Sequence, residues 1–172
     1  MKPEKLSDIK KELTGRTVQE LTEICLRMAK YKKENKELLN FLLFDSDNPL
    51  SFAEKVKTLL DEDFKTMQKH YYHSTKSLRK ILRTMNRYAK YTGSKQVEIE
   101  FSLWFCNNFL IYADLGTSHK PLQGMFIRQL EKISKLLPKL HEDLQFDYQG
   151  EFEDLLHKAD DRARWISKSL YL

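Results

Sequence analysis

Residues 95–113 read KQVEIEFSLWFCNNFLIYA. Val97, Ile99, Phe101, Leu103, Trp104, Phe105, Cys106, Phe109, Leu110 and Ile111 recur through it with no polar face between them. At ~100° per residue they point nearly all round a helix, and a helix without a wet face belongs inside a structure. The apolar window 101–113 still carries Asn107 and Asn108. It is far short of the ~20 apolar residues that span a bilayer, so the stretch predicts a buried core helix.

Working outward, amphipathic patterns fill nearly all of the remaining chain. Residues 5–13 form a short first helix that Gly15 ends. Thr17 and Glu20 have capping-box spacing at the head of a second helix, with Val18, Leu21, Cys25 and Met28 on one stripe. A third helix carries Leu38, Leu39, Leu42 and Leu43 and stops at DSDNP, residues 45–49, because Pro49 disfavours helix at the residue before it. Ser51 and Glu54 repeat the capping-box spacing for a fourth helix, which is expected to run to about residue 72. A fifth spans about 74–92, closed by Gly93. After the core helix, Pro121 starts a seventh, Pro138 splits or kinks it, and a last helix covers about 151–170.

Seven or eight amphipathic helices with short connections predict an all-α fold. Its expected form is a single domain over 1–172, a compact bundle around the buried helix 95–113. The alternative is a short α-solenoid of stacked hairpins, but no convincing repeat recurs along the chain. Composition agrees: 41% hydrophobic and 32% charged residues suit a globular chain, and five Gly with four Pro leave few tight turns. The opening MKPEKLSDIKKEL has charge but no apolar core, so no secretory leader is expected. Cys25 and Cys106 both lie in apolar helical stretches. They are expected as two buried free thiols, with the cytoplasm as the natural compartment.

Charge is unevenly laid out. The chain nets +5, yet residues 64–97 hold nine Lys and Arg and no acid, which leaves the rest at −4. On the fifth helix Leu78, Ile81, Leu82, Met85, Tyr88 and Ala89 share one arc. Lys76, Arg79, Lys80, Arg83, Arg87 and Lys90 share the opposite arc. Like charges at i,i+4 repel by roughly a few tenths of a kcal/mol per pair, and this face contains three such pairs. Three readings follow from the pattern: a solvated face, a face neutralised by the acidic segment 139–161, or a surface for an acidic partner. Tyr72, Tyr88 and Tyr91 interleave the cations and suit stacking on unpaired bases, although Tyr88 belongs to the apolar arc.

Chemistry-bearing patterns are sparse. His70 and His73 stand at i,i+3, one ligand short of a zinc site. Asp154 and His157 make a single acid-x-x-His step where a carboxylate-bridged di-metal bundle needs two. Glu20, Glu23, Glu34, Glu37, Glu151 and Asp154 form partial acid pairs of the kind all-α nucleotide pyrophosphohydrolases use to hold Mg²⁺. There is no glycine-rich phosphate loop and no Gly-x-Ser-x-Gly elbow. No catalytic residue, metal ligand or cofactor is therefore assigned.

ELTEICLRMAKYKKENKELLNFLLF, LRKILRTMNRYAKYTGSKQVEIE and LHEDLQFDY are similar to stretches of an uncharacterised family of small helical proteins from Bacteroidetes-type bacteria. That resemblance implies a bacterial cytoplasmic setting and carries no activity. The functional expectation is a non-enzymatic helical module that presents Lys76, Arg79, Lys80, Arg83, Arg87 and Lys90 to an acidic protein or a nucleic acid. The alternatives are a small metal-dependent hydrolase using the helix carboxylates, and a self-assembling scaffold in which acidic 139–161 of one copy meets basic 76–90 of another.

Overall fold

The computed structural model describes residues 2–171. Among them the structure is all-α, as the periodicity predicts: α1 Leu6–Thr14, α2 Val18–Tyr31, α3 Lys33–Phe44, α4 Pro49–Lys65, α5 Tyr71–Thr92, α6 Lys95–Tyr112, α7 Lys120–Leu136 and α8 Glu142–Arg162. Two short 3₁₀ turns follow α7 and α8. Among the described residues no helix is long and apolar enough to cross a membrane. The chain divides into two compact units, one ending at Ser46 and the other starting at Asp47. The division falls inside the DSDNP stop.

The first unit holds α1 to α3. Thr17 and Glu20 form the expected capping box: the Glu20 amide donates to Thr17 Oγ1 at 3.3 Å and the Thr17 amide to Glu20 Oε2 at 2.8 Å. These bonds, the Thr17 amide first, hold the Glu20 carboxyl below its usual range. α2 and α3 pack together around extended Lys32, and the Asn35 side-chain amide donates to Met28 O at 2.9 Å. The predicted stripe of α2 is not buried: Val18 is 82% and Met28 57% exposed, and Cys25 is an exposed thiol, which corrects the expectation for it. A helical hairpin has one shared face, so apolar side chains aimed elsewhere stay in water.

The second unit is built on α6, which packs against α4, α5, α7 and α8. Phe101, Phe105 and Phe109 are sealed from water. Ring contacts run without a gap from α4 to the carboxy-terminal segment. Phe64 lies 5.7 Å from Phe105, Phe105 6.1 Å from Phe109, Phe109 5.0 Å from Phe126, and Phe126 5.9 Å from Trp165. The Trp165 indole N–H donates to Leu115 O at 3.0 Å, so its polar handle is satisfied where the ring is half-buried. α6 is not dry all round: Ile111 is exposed and Trp104, Asn107 and Asn108 are half-buried. Both asparagines donate back to carbonyls four residues earlier on α6.

Several helix ends differ from the expected ones. Asn48, not Ser51, caps α4: its Oδ1 accepts from the Ser51 amide at 3.0 Å, with Pro49 next in the first turn. Asn is at least as good a cap as Ser, and Pro is preorganised for the position that follows it. α4 stops at Lys65 rather than near residue 72. Thr66 Oγ1 donates to Glu62 O at 2.7 Å, and Met67, past the helix end, is buried. Gly93 closes α5 at φ 61°, the left-handed conformation that suits glycine. Pro138 splits the seventh pattern as expected, but α8 begins at Glu142, well before residue 151, and carries Gly150 within it. A helix held by packing tolerates a glycine that costs it ~1 kcal/mol.

A polar cluster joins α4, α6 and α8. Lys57 Nζ lies 2.6 Å from Glu100 Oε2 and 2.7 Å from Glu54 Oε1, and the Tyr148 phenol donates to Glu100 Oε1 at 2.6 Å. Burial weighs most on Lys57 and acts to lower its pKa, but the bonds to Glu100 and Glu54 together hold it above the usual 10.5. Burial first, then the bond to Glu100, pushes the Tyr148 phenol far above its usual 10.0. Both groups keep their protons to higher pH in the folded chain than in the unfolded one. Their contribution is complete below the unfolded values and fades as pH rises through the folded ones.

Urea midpoints should hold steady up to about pH 9.5 and drop above pH 10, with a shallower drop in Tyr148→Phe. Phe109→Ala should cost ~3–5 kcal/mol in urea unfolding. Phe44→Ala, at a side chain 76% exposed, should change stability by less than ~0.5 kcal/mol.

Candidate functional site

α5 shows how a helix without acids is stabilised. Its apolar arc is buried as the wheel predicts: Leu78, Ile81, Leu82, Met85 and Ala89 all face the core. Tyr88 is half-buried and meets Phe52 edge-on at 5.7 Å and Tyr91 at 5.6 Å. Neither Tyr88 nor Tyr91 is a free platform for a base. Tyr72, 67% exposed, stands at the other end of the helix.

The six cations do not share one fate. Lys80 reaches Asp63 of α4 at 2.9 Å. Arg87 is half-buried, with its guanidinium over the Tyr88 ring at 5.2 Å. Lys76, Arg79, Arg83 and Lys90 are exposed, and among the described residues none of them forms an ion pair. Arg83 Nε donates to the Arg79 carbonyl, at 3.3 Å. Like-charge repulsion along α5 is thus relieved in part by Asp63 and by the Tyr88 ring, and left standing at Arg79 and Arg83.

The acidic segment does not neutralise these four. Its described ion pairs are local: Asp143 with His141 at 3.3 Å and Asp160 with Lys168 at 3.9 Å. Among the described residues no ion pair joins it to Lys76, Arg79, Lys80, Arg83 or Lys90.

α7 packs beside α5 and adds a fifth cation, Arg128, that the wheel of α5 does not contain. Lys76, Arg79, Arg83, Asn86 and Arg128 rim a groove of about 500 Å³ whose floor is Leu82 and Met125. Arg128 is exposed and, among the described residues, has no ion pair. Its guanidinium folds back over Gly124, one turn earlier. A Cβ built on Gly124 would lie 3.1 Å from Arg128 Nη1. A glycine in mid-helix four residues before an arginine is the sequence signal for this arrangement. A second groove of about 380 Å³ lies at the α4–α5 corner, among Gln68, His73, Lys76, Lys80 and Arg83.

Among the described residues no group of three or more His, Cys, Asp or Glu has the arrangement of a metal site. His70 and His73 sit 6.0 Å apart, ring centre to ring centre, beside Tyr71, which in turn meets His119 at 4.9 Å. Glu20 is occupied as a cap, and Glu37 lies 3.7 Å from Lys33. Burial, then the Glu100 charge, raises the Glu151 carboxyl. Cys106 is sealed in the core, and burial lifts its thiol well above the usual value, which makes it unreactive.

No family model matches the chain, and no curated protein or solved structure is significantly similar to it.

Gly124→Ala should raise stability by ~0.5–1 kcal/mol, because alanine is the better helix former and the exposed Arg128 side chain can swing aside. Urea unfolding measures it, and a loss of stability would show that Arg128 is held in place over the glycine.

Proposed function

We propose that the chain is a non-enzymatic helical module that docks an acidic partner on the cationic groove between α5 and α7. One observation carries this reading: Lys76, Arg79, Arg83 and Arg128 converge on a common groove without an ion pair among the described residues. Three of the four are arginines, whose planar guanidinium matches carboxylate or phosphate with two parallel hydrogen bonds. Leu82 and Met125 at the floor favour an occupant with apolar as well as acidic character. That combination supports an acidic protein surface over a nucleic acid. Stacking platforms are what single strands need, and Tyr88 and Tyr91 are already engaged in ring contacts.

Heparin is the first probe, since it reports an open cationic face whatever the natural partner. Wild type should be retained and elute earlier as salt rises. Lys76→Glu/Arg79→Glu/Arg83→Glu should lose that retention while its far-UV circular dichroism stays unchanged, because all three side chains are exposed. Retention equal to that of wild type removes the reading.

A further inference from the structure

The same chain carries a surface with the complementary chemistry. At the start of α8, Phe146 is 83% exposed on the rim of a shallow cleft that also includes Gln145 and Gln149. On a helix the side chains at i−4 and i−3 lie beside residue i. Here those are Glu142 and Asp143, and Asp147 is adjacent in sequence. One turn later, Gly150 meets nothing within 4 Å of where a Cβ would stand, so that side is open to close approach. Glu142 and Asp147 have no ion pair among the described residues, and Asp143 meets only His141, at 3.3 Å. A lone exposed phenylalanine is ordinary on a protein surface. One flanked by the exposed carboxylates of Glu142 and Asp143 complements an apolar floor rimmed by exposed guanidinium groups.

Both surfaces belong to the second unit, and among the described residues no ion pair joins them within one chain. We propose that the α5–α7 groove receives residues 142–150 of a second copy of this chain. Phe146 sits on Leu82 and Met125, and Glu142, Asp143 and Asp147 face Arg79, Arg83 and Arg128. This rests on the groove being a docking site, as argued above, and adds the identity of its occupant. The contact is heterologous, groove to helix. Each copy in a pair therefore retains one unused surface, and association continues head to tail or closes into a ring. Charge sets approach and register, and the buried ring supplies the anchor.

The test is light scattering and sedimentation over a concentration series at low and high salt. Wild type should gain mass with concentration at low salt and lose it at high salt. Phe146→Ala, which leaves every charge in place, should weaken association at least ~10-fold, as loss of an aromatic anchor does. Arg79→Glu/Arg83→Glu/Arg128→Glu should be monomeric alone, as should Glu142→Lys/Asp143→Lys/Asp147→Lys. Mixed, the two variants should associate, because each groove then meets an α8 of opposite sign. A variant that had failed to fold would give no such recovery.

Wild type that stays monomeric at every concentration, Phe146→Ala that associates like wild type, or a mixture that stays monomeric each overturns the proposal. Heparin separates this failure from the broader one. If wild type is monomeric but its retention is still lost with Lys76→Glu/Arg79→Glu/Arg83→Glu, the groove is a docking site with another occupant. If retention also survives that substitution, the docking reading falls as well.

Discussion

The burial of Phe101, Phe105 and Phe109 on α6 is the interaction on which the second unit depends. Four helices pack on α6, and each satisfies its own apolar arc there. Apolar burial is worth about 25 cal/mol per Å² removed from water, and aromatic side chains carry the largest areas. The ring contacts from Phe64 through Phe126 to Trp165 tie α4, α6, α7 and the carboxy-terminal segment into one packed column. α5 packs on α6 and buries Leu78, Ile81 and Met85, so its cationic arc lies on the outer side.

That face shows how one helix can do two jobs. Leu78, Ile81 and Met85 are committed to the core, so the cations opposite them, apart from half-buried Arg87, stay exposed. Repulsion among them is softened by contacts of different kinds, an ion pair from Lys80 to Asp63 and the ring beneath Arg87. What is left is concentrated on Lys76, Arg79 and Arg83, where α7 contributes Arg128 rather than a carboxylate. A neighbouring acid at that point would have cancelled the field. The arrangement instead adds to it, over an apolar floor, and this local excess is what a complementary surface can use.

The cluster of Lys57, Glu100 and Tyr148 solves the opposite problem on the other side of α6. There the charges are partly buried, so each must be paired and hydrogen-bonded to be tolerated. Glu100 receives both the ammonium and the phenol, and Tyr148 OH in turn accepts from Gln96 at 3.1 Å. Removing one member leaves another without its partner, a larger penalty than the net worth of any single bond. The partly buried Lys57, Glu100 and Tyr148 are thus paired with one another, whereas the exposed Lys76, Arg79, Arg83 and Arg128 converge on the α5–α7 groove.

Local features were legible in the sequence because their causes lie within a turn or two of chain. The periodicity of α5 and α6, the Thr17–Glu20 box, the glycine at 93 and the break at Pro138 all depend on neighbours three or four residues away. The acid-free run and its split into apolar and cationic arcs belong to the same class. Tertiary packing alone decided the rest. Cys25 is exposed because α2 has only one face covered, and α4 ends early while Met67 is buried beyond it. Arg128 joins Arg79 and Arg83 only because α7 lies against α5. No pattern along one helix states which other helix it will touch. That choice is made by how the apolar arcs of several helices fill a shared core, and the groove is a consequence of it.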